Sequence, residues 1–154
     1  MFESEELEFL RQLVKHKVKF MIVGLSAAAL QGAPVITQDI DLWFENMNST
    51  GLRNALKAVD GVFVPSFGFN APGFAGKSVA LFDLVTSMSG LDDFNSENKL
   101  TIQISFGDFE VSVLKLERII KSKKAANREK DRLVMKVLED ALATIQHQEK
   151  KVRG

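Results

Sequence analysis

Two aspartates two positions apart, Asp39 and Asp41, are the side chains whose type and spacing point most directly to chemistry. Their neighbours Ile40, Leu42 and Phe44 are apolar, an alternation that predicts a half-buried strand with both carboxylates on one face. At a rise of about 3.3 Å per residue the two backbone positions lie about 6.6 Å apart, within reach of one divalent cation. On its own such a pair is only the wet face of a strand. A third acid changes that reading: Asp83 sits between Phe82 and Leu84 in another apolar run. Aspartate is depleted from strands, and a buried carboxylate without a partner is costly, so Asp83 calls for a partner or a role. Three oxygen donors from two neighbouring strands suit a hard ion of the magnesium type, completed by substrate phosphates rather than by a closed protein cage.

Fifteen residues before Asp39, Gly24 and Ser26 follow the apolar run Phe20 to Val23 and open a short Ala-rich segment. Strand, small-residue turn and helix N-terminus make a seat for an anion, because the unpaired N–H groups there favour negative charge. A phosphate seat beside a metal seat suggests a nucleotide.

The elements that must position these groups follow from period and caps. Ser4 caps a first helix with Leu7, Leu10, Leu13 and Val14 inward, running to about His16; a strand covers 20–23, and a helix covers 26–31, stopped by Gly32 and Pro34. The aspartate strand spans 39–45. Asn48 or Ser49 caps a helix with Leu52, Leu56 and Val59 inside, ended by Asp60 and Gly61. The Gly, Pro and Phe-rich stretch 65–76 reads as a loop or frayed hairpin whose Phe67, Phe69 and Phe74 either line a pocket or plug the loop onto the core. A strand at 78–86 carries Asp83, and a polar stretch covers 87–98. Runs at 100–105 and 109–114, separated by Gly107 and Asp108, form a hairpin. Helices follow at 116–125 and 129–148, the second with Leu133, Val137, Leu138 and Leu142 inside, before a frayed tail over about 149–154.

At 154 residues the chain suits one domain, 1–154, of α/β (α+β) class: a mixed sheet with helices mainly on one side and the acidic site on the other. The formal net charge is zero, which gives no reason to expect a polyanion or a membrane surface as partner. Absence of cysteine excludes disulfides and thiolate metal sites and fits a cytoplasmic location; the acidic start does not read as a secretory signal, and no apolar run is long enough to span a bilayer. The stretch Ala71 to Ser78, APGFAGKS, imitates a phosphate-binding loop, but that loop needs a strand before it and a helix after it, and here a Gly/Pro-rich loop precedes and a β-like run follows.

The order of these signals resembles the nucleotidyltransferase superfamily, of polymerase-beta-like fold, and within it the small single-domain bacterial members. The matching residues are Val23, Gly24, Ala27, Thr37, Asp39, Ile40, Asp41 and Asp83, with a closing segment in which Lys123, Ala125, Arg128, Lys130 and Asp131 fall in register. The resemblance implies transfer of a nucleoside monophosphate from a nucleoside triphosphate to an acceptor hydroxyl, with release of pyrophosphate. It implies catalytic and Mg2+-binding roles for Asp39, Asp41 and Asp83 at a two-ion site, with Asp83 assisting deprotonation of the attacking group. It implies nucleotide contacts from Gly24, Leu25, Ser26, Thr37, Lys123, Arg128 and Lys130. Ser26 is equally read as a helix cap, Thr37 as a strand starter and Asp131 as the cap of the last helix. Two positions depart from the pattern: Leu25 stands where relatives often carry a small residue, and Val35 where they often carry arginine.

Two other classes stay open on the sequence. One is a catalytically degenerate nucleotide- or protein-binding module, for example half of a toxin–antitoxin pair. The other is a structural domain whose acids pair with the C-terminal lysines and arginine. The acceptor, whether tRNA, protein or small molecule, has no code in the sequence, and a protein partner or a homodimer would supply its recognition surface.

Overall fold

The computed structural model describes residues 4–153 and is organised by a five-stranded mixed sheet. Helix α1 (Ser4–Lys15) leads to β1 (Phe20–Val23), whose four residues are all buried. Helix α2 (Gly24–Leu30) follows directly, then β2 (Ile40–Phe44), α3 (Thr50–Ala58), and a separate hairpin of β3 (Val62–Val64) and β4 (Gly73–Ala75). Strand β5 (Phe82–Val85), the short helix α4 (Phe94–Glu97), β6 (Thr101–Ser105), β7 (Glu110–Leu114), α5 (Leu116–Ala126) and α6 (Glu129–Arg153) complete the chain.

The strand order is β5-β2-β1-β7-β6, with β1 antiparallel to β2 and parallel to β7, β2 parallel to β5, and β6 antiparallel to β7. Alternation along β2 sends Ile40, Leu42 and Phe44 to one face and Asp41 and Trp43 to the other. On the first face α1 seats Phe9 edge-on to Phe82 at 5.1 Å and to Phe74 at 5.5 Å, and α3 adds the buried Leu52, Ala55 and Leu56. On the second face lie Ile119 of α5 and, around Ala28, Leu116, Ile120 and Leu138, a smaller apolar cluster joining α2, α5 and α6. Helices therefore cover both faces, not mainly one. The physical reason is that β1 is apolar at every position, so each face of the sheet centre needs a cover.

Other departures have local causes. Helix α2 begins at Gly24 rather than Ser26, and β2 at Ile40 rather than Asp39. The strand expected over 78–86 shortens to β5, because a 3-10 turn at Lys77–Val79 buries Val79 beside Gly61 and Leu56. Ser49 caps α3, its Oγ accepting from Leu52 N at 3.2 Å. Phe74 plugs the hairpin onto Phe9, Phe44 and Phe63, while Phe67 and Phe69 are almost wholly exposed. Helix α6 continues to Arg153, past the expected end, since Glu149 to Arg153 contains no helix breaker; Gly154 lies outside the described residues, as do Met1 to Glu3. Leu133 is exposed rather than inward, because the buried stripe of α6 runs through Val134, Leu138, Ala141 and Ile145.

A buried ion pair fixes the second face. Glu97, at the end of α4, is fully buried and accepts from Arg118 Nε and Nη2 at 2.8 and 2.7 Å and from Asp92 N at 2.9 Å. Removing one partner of such a pair leaves a buried charge uncompensated, at about 3–5 kcal/mol. Arg118 holds the Glu97 carboxyl below its usual range, so this contribution is present above that range and is lost as pH falls through the lowered value. Glu97→Ala is expected to lower the unfolding free energy from urea titration at pH 7 by that order, with the gap to wild type closing only in acid.

Candidate functional site

The parallel register of β2 and β5 sets Asp41 directly beside Asp83, and adjacent strands are about 4.8 Å apart, so the two carboxylates leave one face side by side. Asp39 precedes Asp41 by two residues and joins them: all three line one cavity of about 820 Å³ at the end of the sheet where β1 finishes and β2 begins. The third acid is thus on the same side as the other two. Among the described residues none of the three carboxylates is ion-paired or hydrogen-bonded to another side chain, so the structural reading that pairs them with C-terminal bases does not hold.

Burial and neighbouring charge raise the affinity of Asp41 and Asp83 for protons. Burial, then the charges of Asp83 and Asp39, push Asp41 up to about 6, with Lys123 and Lys130 acting in the opposite direction. Burial and the charge of Asp39 also raise Asp83. Gly24 makes room for this arrangement. It takes φ +67 as the first residue of α2, and a Cβ there would stand 2.2 Å from Asp41 Oδ2, so any side chain would displace the carboxylate. The donors are all hard oxygens, and among the described residues no three acids are gathered tightly enough to enclose an ion by themselves. That donor set fits magnesium, which takes one or two carboxylates and leaves its other positions to water and phosphate.

The cations across the cavity are clamped by a fourth acid. At the α5–α6 corner Asn127 turns left-handed at φ +49, and Asp131, in the first turn of α6, is fully buried. Its carboxylate accepts from Lys123 Nζ at 3.2 Å, from Arg128 Nε and Nη2 at 2.7 and 3.1 Å, and from Arg128 N at 3.1 Å. These bonds, led by that from the Arg128 side chain, hold Asp131 down to about 2. The carboxylate caps α6 and fixes two bases at once. Lys123, Arg128 and Lys130 all line the cavity with the aspartates. The Lys123 side chain is mostly buried, whereas that of Arg128 is 56% exposed.

Of the residues singled out in the sequence, Gly24, Leu25, Thr37, Asp39, Asp41, Asp83, Lys123, Arg128 and Lys130 come together in this cavity. Ser26 does not. It neither caps α2 nor faces the cavity: its buried hydroxyl donates to Val23 O at 2.8 Å and accepts from Asp41 N at 3.3 Å, tying the end of β1 to β2. Thr37 bonds rather than merely starting a strand, donating to Asp39 O at 2.9 Å. Lys77 pairs with Glu5 at 3.5 Å, and neither it nor Phe67, Phe69 or Phe74 lines the cavity. Leu25 and Val35, the two departures from the family pattern, pack against the same cluster around Leu138. Sequence reasoning missed Ser87, Met88 and Leu133 as cavity residues. Leu133 carried a signal in hindsight of its helix: Val134 and Leu138 share a face that position 133 leaves by about 100°.

Because the folded state holds the Asp41 proton more tightly than the unfolded chain, stability falls as pH rises from the usual carboxylate range through about 6. Asp41→Asn is expected to raise the melting temperature of the metal-free protein at pH 7 and to leave it unchanged below about pH 4, as thermal scans across pH would show. Asp131→Asn is expected to destabilise the α5–α6 corner, seen as faster amide hydrogen exchange over 123–132.

No protein-family model matches the chain, and no curated protein matches it by sequence. Solved structures do match in shape. The solution structure of the antibiotic-resistance factor ANT(2'')-Ia, a protein with substrate-regulated conformation dynamics, aligns at TM-score 0.58 and 13% identity over 97% of this chain and 94% of that one. The crystal structure of ANT(2'')-Ia in complex with adenylyl-2''-tobramycin aligns at TM-score 0.58 and 14% identity over 95% and 90%. These neighbours are nucleotidyltransferases, and the likeness at this identity is one of fold: the chain is built on a nucleotidyltransferase-like fold.

Proposed function

We propose that the protein is a magnesium-dependent nucleotidyltransferase that moves a nucleoside monophosphate from a nucleoside triphosphate to an acceptor hydroxyl and releases pyrophosphate. One observation carries this reading: three aspartates, the Gly24–Leu25 turn and three cations line a single cavity of nucleotide size. Asp39, Asp41 and Asp83 would hold Mg2+, which supplies charge neutralisation for the phosphates and the displaced oxygen. Lys123, Arg128 and Lys130 bind phosphate oxygens from the opposite wall, and Thr37 fixes the backbone that carries Asp39. No side chain caps the first turn of α2, which leaves its N–H groups at Gly24 and Leu25 for phosphate.

In the reaction the acceptor oxygen forms a bond to the α-phosphorus while the bond from that phosphorus to pyrophosphate breaks. Asp83, whose carboxylate is the more exposed of the strand pair and holds protons more readily than an ordinary aspartate, takes the hydroxyl proton. Asp41 must be ionised to hold the cation, and a bound cation would lower its affinity for a proton, which burial and the charges of Asp83 and Asp39 raise. The location that goes with this reading is the cytoplasm, where nucleoside triphosphates are held; among the described residues no helix is long and apolar enough to cross a membrane.

Calorimetric titration of each nucleoside triphosphate with and without Mg2+ tests the binding half of the proposal. Wild type is expected to bind only with Mg2+, and an Asp39→Ala, Asp41→Ala variant is expected to lose that affinity by at least about 100-fold, the loss of roughly 3 kcal/mol that follows when two charged contacts go. Labelled triphosphate with candidate acceptors tests the chemistry. Nucleotide bound without pyrophosphate released would make the protein a binding module instead, and no binding at all would end both readings.

A further inference from the structure

Among the described residues, strand β6 lies at the edge of the main sheet with β7 as its only strand partner, so its outer row of N–H and C=O groups has no ladder there. Edge strands are usually blunted by lysine, proline, a bulge or a cover. Over Thr101 to Ser105 the sequence is TIQIS, with no charge, no proline and a regular five-residue register to β7. Its side chains are half-buried or exposed, Ile102 at 37%. The opposite edge, β5, begins beside exposed Leu81 and the charged Asp83 and is only four residues long, so it is the poorer template.

From this edge we infer that the protein forms a homodimer in which β6 pairs antiparallel with β6 of a second copy. The occupant is a second copy because the strand is complementary to itself. Antiparallel pairing across one continuous sheet requires a twofold axis normal to the sheet, so each residue meets one facing the same side. An axis at Gln103 pairs the whole strand: Gln103 with Gln103, Ile102 with Ile104, and Thr101 with Ser105. Apolar meets apolar on the face of Val111 and Val113, and amide and hydroxyls meet on the face where Gln103 Nε2 already donates to Ser112 Oγ at 2.7 Å. Antiparallel pairing also sets the 3-10 turn Asn98–Leu100, which carries Lys99, of one copy at the same end of the ladder as the Gly107–Asp108 turn of the other. Asp108 is held there by Arg11 Nε at 3.0 Å and stays two-thirds exposed. Shifting the axis to Ile102 or Ile104 breaks this match and shortens the ladder. The joined sheet would have ten strands and would bury the edge that each copy leaves open.

The inference does not rest on the proposed activity, because β6 stands three strands away from β2. Its test is charge pairing at the axis, read by sedimentation equilibrium. Wild type is expected to be a dimer at micromolar concentration. Gln103→Lys and Gln103→Glu each place like charges opposite one another and are expected to move the monomer–dimer midpoint at least about fivefold higher. An equimolar mixture of the two variants is expected to return to dimer, since lysine then faces glutamate. A monomeric wild type, dimers indifferent to both substitutions, or a mixture no tighter than its parts would each overturn the proposal; unchanged circular dichroism shows that the variants are folded.

Discussion

Two like charges set side by side by strand register are the constraint around which this end of the molecule is built. The parallel ladder of β2 and β5 puts Asp41 opposite Asp83, and neither can move away without breaking the sheet. Asp39 adds a third charge from the same side. In a medium of lower dielectric than water, such a group is tolerated only with a proton or a cation among its members. Burial first and that repulsion second raise the affinity of Asp41 and Asp83 for protons.

The chain relieves that repulsion only in part, through the charges of Lys123 and Lys130, and makes no ion pair between its own bases and the trio among the described residues. Lys123 and Arg128 could neutralise the trio, yet their nearest carboxylate belongs to Asp131, which takes a bond from each and keeps them on the far wall. The result is a separated pair of fields, negative at the sheet and positive at the α5–α6 corner, with the cavity between. A polyphosphate with a divalent cation is matched to that division: its oxygens face one wall and its metal the other. Ser26 serves the same arrangement from beneath, since its hydroxyl joins the end of β1 to the backbone of Asp41 and so fixes the floor.

Much of this was legible in the sequence because it is encoded by short-range signals. The alternation of Asp39 to Phe44, the apolar run 20–23 and the caps at Ser49 and Asp131 each depend on residues within one or two turns. That Asp83 belongs with the first pair was suggested by an acid in an apolar strand and by the family resemblance, but the register that sets it beside Asp41 is a long-range fact that no local signal encodes. What failed were orientations. Ser26 reads as a phosphate ligand by type, but the helix begins two residues earlier and turns the hydroxyl inward. Leu133 reads as core by hydrophobicity, but the stripe that packs on α2 and α5 is set by Leu138 and excludes it. The two-sided cover of the sheet was likewise hidden, because which face a helix takes is decided by the connections and not by its own pattern.

Helix α6 starts at Glu129, beside the cavity-lining Arg128 and Lys130, and has 25 residues, a rod of about 37 Å at 1.5 Å per residue. Its packing against the rest ends near Ile145, so the two final turns stand clear. A rigid lever of this kind converts a small tilt at the α5–α6 corner into a much larger sweep at its tip. A fluorophore on that tip would therefore magnify any tilt at the corner without a label anywhere near the cavity.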